Sequence, residues 1–256
     1  MFIDTHCHFD FFPFVDDETA SLERARQTGV EKIIVPSVSQ VNFQRVADLA
    51  ATHDSIHAAF GLHPLYINEH HDMHLDELEQ KLKEKQSNCV AVGEIGLDLY
   101  MPEPQFEKQK SLLAAQLMLA RKYELPVILH SRKSHDQLAA MLRKHSVSRT
   151  GVIHGFAGSL SQAQAFIRLG FYIGVGGTIT YERAKKTRDT IARLPLSSLV
   201  LETDAPDMPL SGFQGQPNRP ERVAQVFSAL CELRPESTDE ISHQIYQNSM
   251  TLFALS

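Results

Sequence analysis

Cysteine is scarce in this chain: Cys7, Cys89 and Cys231 are its only three, widely spaced, odd in number and without a C-x-x-C. A disulfide framework is excluded, and a reducing compartment is expected. No apolar run approaches the ~20 residues needed to cross a bilayer, and no basic segment followed by an apolar one opens the chain. A cytoplasmic protein without a membrane partner is therefore expected, and no obligate protein partner is evident. No G-x-G-x-x-G follows the first apolar run, so a dinucleotide-binding unit is unsupported. Excess positive charge is lacking too, the formal net charge being -6. Proteins that coat duplex DNA carry a basic surface, so this balance argues against that role. It leaves room for an enzyme that grips a few phosphates at a strand end.

What is present is an ordinary globular composition, 43% hydrophobic and 22% charged over 256 residues, long enough for a large core. Short β-branched apolar runs at 2–6, 32–36, 56–61, 89–94, 125–130, 151–154, 171–174 and 199–204 read as strands. Helical patterns at 16–27, 40–52, 75–85, 105–123, 134–145, 159–169 and 181–194 separate them, and two more, 219–233 and 238–252, finish the chain. Alternating strands and helices imply parallel strands with helical crossovers. Eight such units without a linker predict an α/β protein: one (β/α)8 TIM barrel spanning residues 1–256. A doubly wound open sheet is the alternative.

The first strand runs into His6-Cys7-His8. Side chains alternate along a strand, so His6 and His8 project together while Cys7 points away, toward a helix. Alone this is half of a metal site. In a barrel, however, reactive groups gather where the strands end. Those ends carry His6 and His8, then His63, Glu94, His130, His154, and finally Glu202 and Asp204. The set is enough for two divalent ions (Mg, Mn or Zn), with Glu94 as the bridge. His6, His8, Glu94 and Asp204 are assigned to one ion, and Glu94, His130 and His154 to the other. His70, His71 and His74, beside Glu69 and Asp72, read as solvated surface.

The chain resembles the TatD-type metal-dependent hydrolases, a branch of the amidohydrolase-like barrels, and looks closest to the YjjV-like group. The resemblance covers essentially the whole chain. It rests on Asp4-Thr5-His6-Cys7-His8, Gly61-Leu62-His63-Pro64, Gly93-Glu94-Ile95-Gly96-Leu97-Asp98 and His130-Ser131-Arg132. It continues through His154-Gly155-Phe156-Ala157-Gly158 and Leu201-Glu202-Thr203-Asp204-Ala205-Pro206. It implies a two-metal phosphodiesterase, typically a Mg²⁺-dependent deoxyribonuclease acting on strand ends, with the ligand set already drawn from the strand ends. Two loops depart from the family pattern. Gly155-Phe156-Ala157-Gly158 stands where many relatives have Cys-Phe-Ser-Gly. Asp207-Met208-Pro209 and Gln216-Pro217-Asn218-Arg219-Pro220-Glu221 replace a Tyr or Leu pair and an Arg-Asn-Glu-Pro element. Both loops border the site and bear on substrate choice.

The chemistry expected is metal-assisted attack of water on a phosphodiester, either at a nucleic-acid strand end or in a small molecule. Asp204 orients the water and accepts its proton, and Glu202 supports a histidine or a substrate hydroxyl. His63 and Arg132 are the candidate phosphate contacts, Arg132 because its planar fork donates two hydrogen bonds. The basic run 182–188 could steer a nucleic-acid backbone, and Tyr181 or Phe156 could stack a base, although packing is the ordinary role for both. One competitor is an amidohydrolase cleaving a C–N or C–O bond, whose bridge is often a carboxylated lysine where this chain has Glu94. Another is a barrel that binds metal or nucleic acid without turnover.

Overall fold

The alternating apolar runs form a ring. In the computed structural model, which describes residues 1–84 and 88–256, eight strands lie in sequence order, each parallel to the next. They are β1 (Phe2–Asp4), β2 (Val30–Pro36), β3 (Ile56–Phe60), β4 (Cys89–Asp98), β5 (Val127–Arg132), β6 (Gly151–Ile153), β7 (Tyr172–Val175) and β8 (Leu199–Leu201). The seam between β8 and β1 is held mostly by the residues just beyond the two strands. Thr5 N–H and Oγ1 donate to the Leu201 carbonyl at 3.0 and 2.8 Å. Asp204 N–H donates to the His6 carbonyl at 2.9 Å, and His8 N–H to that of Ala205 at 2.7 Å. Asp4 accepts from Thr203 N–H (2.9 Å) and Oγ1 (2.6 Å). Barrel closure thus fixes the segments that carry His6, His8 and Asp204.

The described residues form nine α-helices: α1 (Glu18–Gln27), α2 (Phe43–Thr52), α3 (Asp72–Lys83), α4 (Phe106–Lys122), α5 (His135–Lys144), α6 (Leu160–Arg168), α7 (Lys185–Arg193), α8 (Val223–Leu233) and α9 (Thr238–Phe253). Their starts follow local chemistry. Ser159 with Gln162 caps α6, and Ser237 with Glu240 caps α9 in the same reciprocal way. Helix α2 buries Phe43, Val46, Ala47, Leu49 and Ala50, a stripe at helical spacing. The third helix starts at Asp72, a turn before the expected 75, and the expected end at Lys85 lies outside the described residues. Among the described residues no helix is long and apolar enough to cross a membrane.

Strand alternation sorts the core into two layers. Ile33, Val35, Val127, Leu129, Leu199 and Leu201 face the helices. Ile34, Ile128, Val152 and Val200 face inward, where Leu252 and Phe253 of α9 pack with them. The inward face continues two residues on. It leads from Ile128 to His130, from Val152 to His154 and from Val200 to Glu202. The first and eighth strands are shorter than their apolar runs predict, because the seam there exchanges regular ladder bonds for the side-chain and loop contacts described above. Strand β4 is longer, and β5 keeps its length but lies two residues further on, so that Gly96 pairs with His130 and Asp98 with Arg132. At Gly96 (φ +146°) a Cβ would lie 2.1 Å from the His130 carbonyl oxygen, so this close pairing requires glycine.

Two glutamines of α4, seven residues apart and thus on one helix face, hold the ends of two strands. Gln109 accepts from Asp98 N–H (2.8 Å) and donates to Asp98 O (2.9 Å). Gln116 does the same for Leu62, at 2.7 and 3.1 Å. Both are buried. Gln116→Leu keeps the volume but leaves a buried N–H and a buried C=O without partners. It should cost on the order of 2–4 kcal/mol, read as a shift in the denaturant midpoint. An unchanged midpoint would contradict this account.

Candidate metal centre

Glu94 sits at the centre of the inward-facing polar residues and is almost wholly buried. Its two carboxylate oxygens face different imidazoles. Oε2 lies 3.2 Å from His6 Nε2 and 3.5 Å from His8 Nε2. Oε1 lies 2.9 Å from His63 Nε2, 3.1 Å from His130 Nδ1 and 2.7 Å from His154 Nε2. Asp204 closes the first group, its Oδ1 standing 3.5 Å from His6 Nε2 and 3.7 Å from His8 Nε2. Its backbone is in the left-handed region (φ +58°), which aims the carboxylate at the histidines at a cost of ~1–3 kcal/mol.

The donor set fits divalent ions. His6 Nε2 and His8 Nε2 approach to 3.3 Å, as do His130 Nδ1 and His154 Nε2. A facing pair of ring nitrogens can share only one proton, so repeated pairs next to carboxylates make a nest of acceptors. Three groups bring ligand atoms within 4.8 Å of one another: His6, His8 and Asp204; His63, Glu94 and His130; and His6, His154 and Glu202. Nitrogen and oxygen donors of this kind accept Mg²⁺, Mn²⁺ or Zn²⁺.

Contacts further out hold some of these side chains. His130 Nε2 lies 2.9 Å from Asp98 Oδ2, while Asp98 Oδ1 accepts from the N–H groups of Tyr100 and Met101 at 2.8 and 3.1 Å. This clamp turns Nδ1 of His130 toward Glu94. Asp98 lies four residues beyond Glu94, an even spacing that could have marked it in the sequence. Glu202 is buried, accepts from Gly155 N–H, and lies 3.9 Å from His154 Nδ1. Gly174 makes room for it, since a Cβ there would be 2.5 Å from Glu202 Oε2.

His63 Nδ1 accepts from Leu65 N–H at 3.0 Å. His70 donates from Nε2 to the His63 carbonyl at 2.8 Å and is buried. The expectation of three solvated histidines is thus corrected at His70: its acidic neighbours mask a ring spent on a loop carbonyl that needs a donor. His71 is exposed and His74 half-buried. Arg132 is exposed at the end of β5, its guanidinium 3.9 Å above the Tyr100 ring. Phe156 packs on His135 and Phe166, and Tyr181 donates to the Pro209 carbonyl at 2.6 Å. In the basic run, Arg183 lies over Tyr181 and Arg188 bonds to the Ile179 carbonyl. Cys7 is buried in the layer between strands and helices.

Electrostatics follow from burying one carboxylate among five imidazoles. Burial raises Glu94, but His63, His154 and His6 outweigh it and hold the group well below the usual carboxylate range. Burial lowers His8 and His154, but Glu94 outweighs it, raising them to about 9 and about 10. His6 and His63 are lowered, chiefly by burial. Burial raises Asp204, and His154 and His8 only partly offset it.

Without metal, these shifts tie stability to pH. His8 and His154 hold protons that an unfolded chain releases near pH ~6.5, so the stability they add is complete below that pH and is lost as pH rises toward 9 and 10. Burial also raises Asp4 to about 8 and Glu202 to about 7, and stability tied to their protons is lost as pH rises from the ordinary carboxylate range to those values. His6 and His63, being lowered, act only below about pH 6.5. Chelator-treated protein should therefore melt at progressively lower temperature from about pH 7 to pH 9.5. A rising melting temperature over that range would contradict this assignment.

Comparison with known proteins places this geometry. The model of the TatD-related DNase family matches residues 3–254. An uncharacterized metal-dependent hydrolase of Escherichia coli K12, YjjV, is 61% identical over 252 residues, covering 98% of this chain and 97% of that protein. Another, from Haemophilus influenzae, is 47% identical over 260 residues, covering 99% of each. The crystal structure of Escherichia coli YjjV, described as a TatD homolog, matches with a TM-score of 0.98 at 60% identity, covering 100% of this chain and 98% of that one. A TatD-family hydrolase from Entamoeba histolytica shares the fold at 23% identity, with a TM-score of 0.89 and coverage of 100% of this chain and 98% of that one. With a family match over nearly its whole length and relatives this similar, the chain belongs to the TatD-related DNase family.

Proposed function

We propose that this protein is a metal-dependent hydrolase, and specifically a two-metal phosphodiesterase acting on nucleic-acid ends. The observation that carries the reading is the division of Glu94, with Oε2 toward His6 and His8 and Oε1 toward His63, His130 and His154. A carboxylate so placed suits a bridge between two ions. The family's description as TatD-related DNases supports a nucleic-acid substrate, and the relatives' description as metal-dependent hydrolases supports the metal.

In this reading His6, His8, Glu94 and Asp204 would hold one ion, and Glu94, His130 and His154 the other. When bound, such ions supply Lewis acidity, favouring the deprotonated form of a nearby water and stabilising charge on a phosphoryl group. Asp204 orients the attacking water and accepts its proton. Glu202, 3.9 Å from His154 Nδ1 and not hydrogen-bonded to it, would support that ring through its charge alone. His63, with Nδ1 accepting from Leu65 N–H and Nε2 facing Glu94, would contact the phosphate only by releasing Glu94. Arg132, stacked on Tyr100, would meet substrate only at the rim.

Purified protein should hydrolyse bis(p-nitrophenyl) phosphate with Mg²⁺, Mn²⁺ or Zn²⁺, and a chelator should stop it. Failure with every ion would overturn the hydrolase reading, and turnover of amides or lactones in its place would favour an amidohydrolase. Asp204→Asn should lower kcat by roughly 10²–10⁴-fold with the melting temperature kept within a few degrees; an active variant would remove Asp204 from the mechanism. Calorimetric titration should count about two ions in the native protein. The count should fall by about one in His8→Ala and in His130→Ala; a single ion throughout would refute the two-metal assignment.

A further inference from the structure

The cavity over Glu94 has a volume of about 390 Å³ and opens to solvent between the loops that follow β1, β3 and β8. Its floor is the ligand cluster, including His8, His63 and Asp204. Its walls are of another kind. Phe11, Phe12, Leu65 and Tyr66 line it, and among its described lining residues none is a lysine or arginine. The charges around the Tyr66 wall are acidic. Burial raises the Tyr66 hydroxyl, and Glu69, Asp10, Asp207 and Glu94 add to that rise.

These walls touch the cluster directly. The Phe11 ring stands edge-on to His8 at 5.7 Å between centroids, and the Tyr66 ring edge-on to His63 at 6.3 Å. Phe12 and Leu65, 67% and 47% exposed, leave large apolar surface at the mouth. Neither is needed by the core, and apolar surface gathered around a polar floor marks a place where something binds. Arg132 and Lys133 lie on the Tyr100 ring and Arg183 on Tyr181, and none of the three lines the cavity.

We propose that Phe11, Phe12, Leu65 and Tyr66 form a ring-binding subsite that takes the planar group of a phosphoester, the base of a single terminal nucleoside, and that substrate is selected by this ring and not by strand charge. The inference rests on the phosphodiesterase reading for its chemistry, but it concerns a separate set of residues. Aromatic and aliphatic walls accept any base through its π-face. Walls without a lysine or arginine offer nothing to the successive phosphates of a longer strand beyond the one held at the floor. Binding through a ring also carries little salt dependence, because few counterions are displaced.

The test uses three esters with the same p-nitrophenolate leaving group, carrying thymidine (5′-linked), phenyl or methyl as the second substituent. With Mn²⁺, the native protein should favour the thymidine ester over the methyl ester by roughly tenfold or more in kcat/KM. Phe12→Ala and Leu65→Ala should remove most of that preference through KM while leaving methyl ester turnover within about twofold. A phenyl ester as good as the thymidine ester would assign the subsite to aryl esters and overturn the nucleoside assignment. For a short single-stranded oligonucleotide, kcat/KM should change less than about threefold between roughly 50 and 300 mM NaCl; a steep fall would overturn selection by the ring.

A binding arm is independent of turnover. The chain has no Trp, so 2-aminopurine deoxyriboside 5′-monophosphate can be excited without tryptophan background. Stacking should quench it saturably, and Phe12→Ala should weaken its affinity about fivefold or more. Turnover of the esters without ring preference or quenching overturns the subsite and spares the phosphodiesterase. Quenching lost in Phe12→Ala, with no ester turned over, overturns the phosphodiesterase and spares the subsite.

Discussion

One buried carboxylate organises the upper end of this barrel. Glu94 has almost no access to water, and the described structure surrounds it with five imidazoles at 2.7–3.5 Å. An unpaired charge in such a place costs several kcal/mol, on the order of what a whole domain has to spare. The histidines offset that cost in the absence of metal by sharing protons with it. A divalent ion would displace those protons, so stability, metal binding and pH are linked through the same few atoms.

The scaffold that makes this possible is built largely from backbone pairing. Asp4 ties β1 to the segment after β8 through Thr203, and the same seam fixes His6, His8 and Asp204. Gln109 and Gln116 bind the peptide groups of Asp98 and Leu62 as another strand would. Asp98 in turn sets the ring of His130, and His70 bonds to the carbonyl of His63. His130 and His63 are therefore each held by a group one layer further out, which is how a site on loops gains the rigidity of a strand.

Around this floor the walls change character. The polar cluster lies in the mouth of the ring, where inward-facing positions rise above the apolar layer of Ile34, Ile128, Val152 and Val200. Above it, the loops after β1 and β3 supply Phe11, Phe12, Leu65 and Tyr66. The barrel thus separates two tasks: strand ends hold the reactive groups, and loops hold the groups that choose what reaches them.

Sequence alone determined the barrel and the members of the cluster. Strand periodicity is local, and a histidine or carboxylate two residues beyond an inward apolar residue is legible without any long-range contact, as Ile128 with His130 and Val152 with His154 show. Residues defined by what they touch were beyond its reach. His70 looked solvated beside Glu69 and Asp72, and its bond to the His63 carbonyl exists only once the loop folds. Arg132 looked like a phosphate ligand, and only the tertiary structure put Tyr100 beneath its guanidinium. Phe11 and Phe12 gave no signal, because an aromatic residue in a loop is ordinary until distant segments close a cavity around it. Periodicity fixes which way a side chain points; which partner it meets depends on segments up to two hundred residues away, as with Asp4 and Thr203.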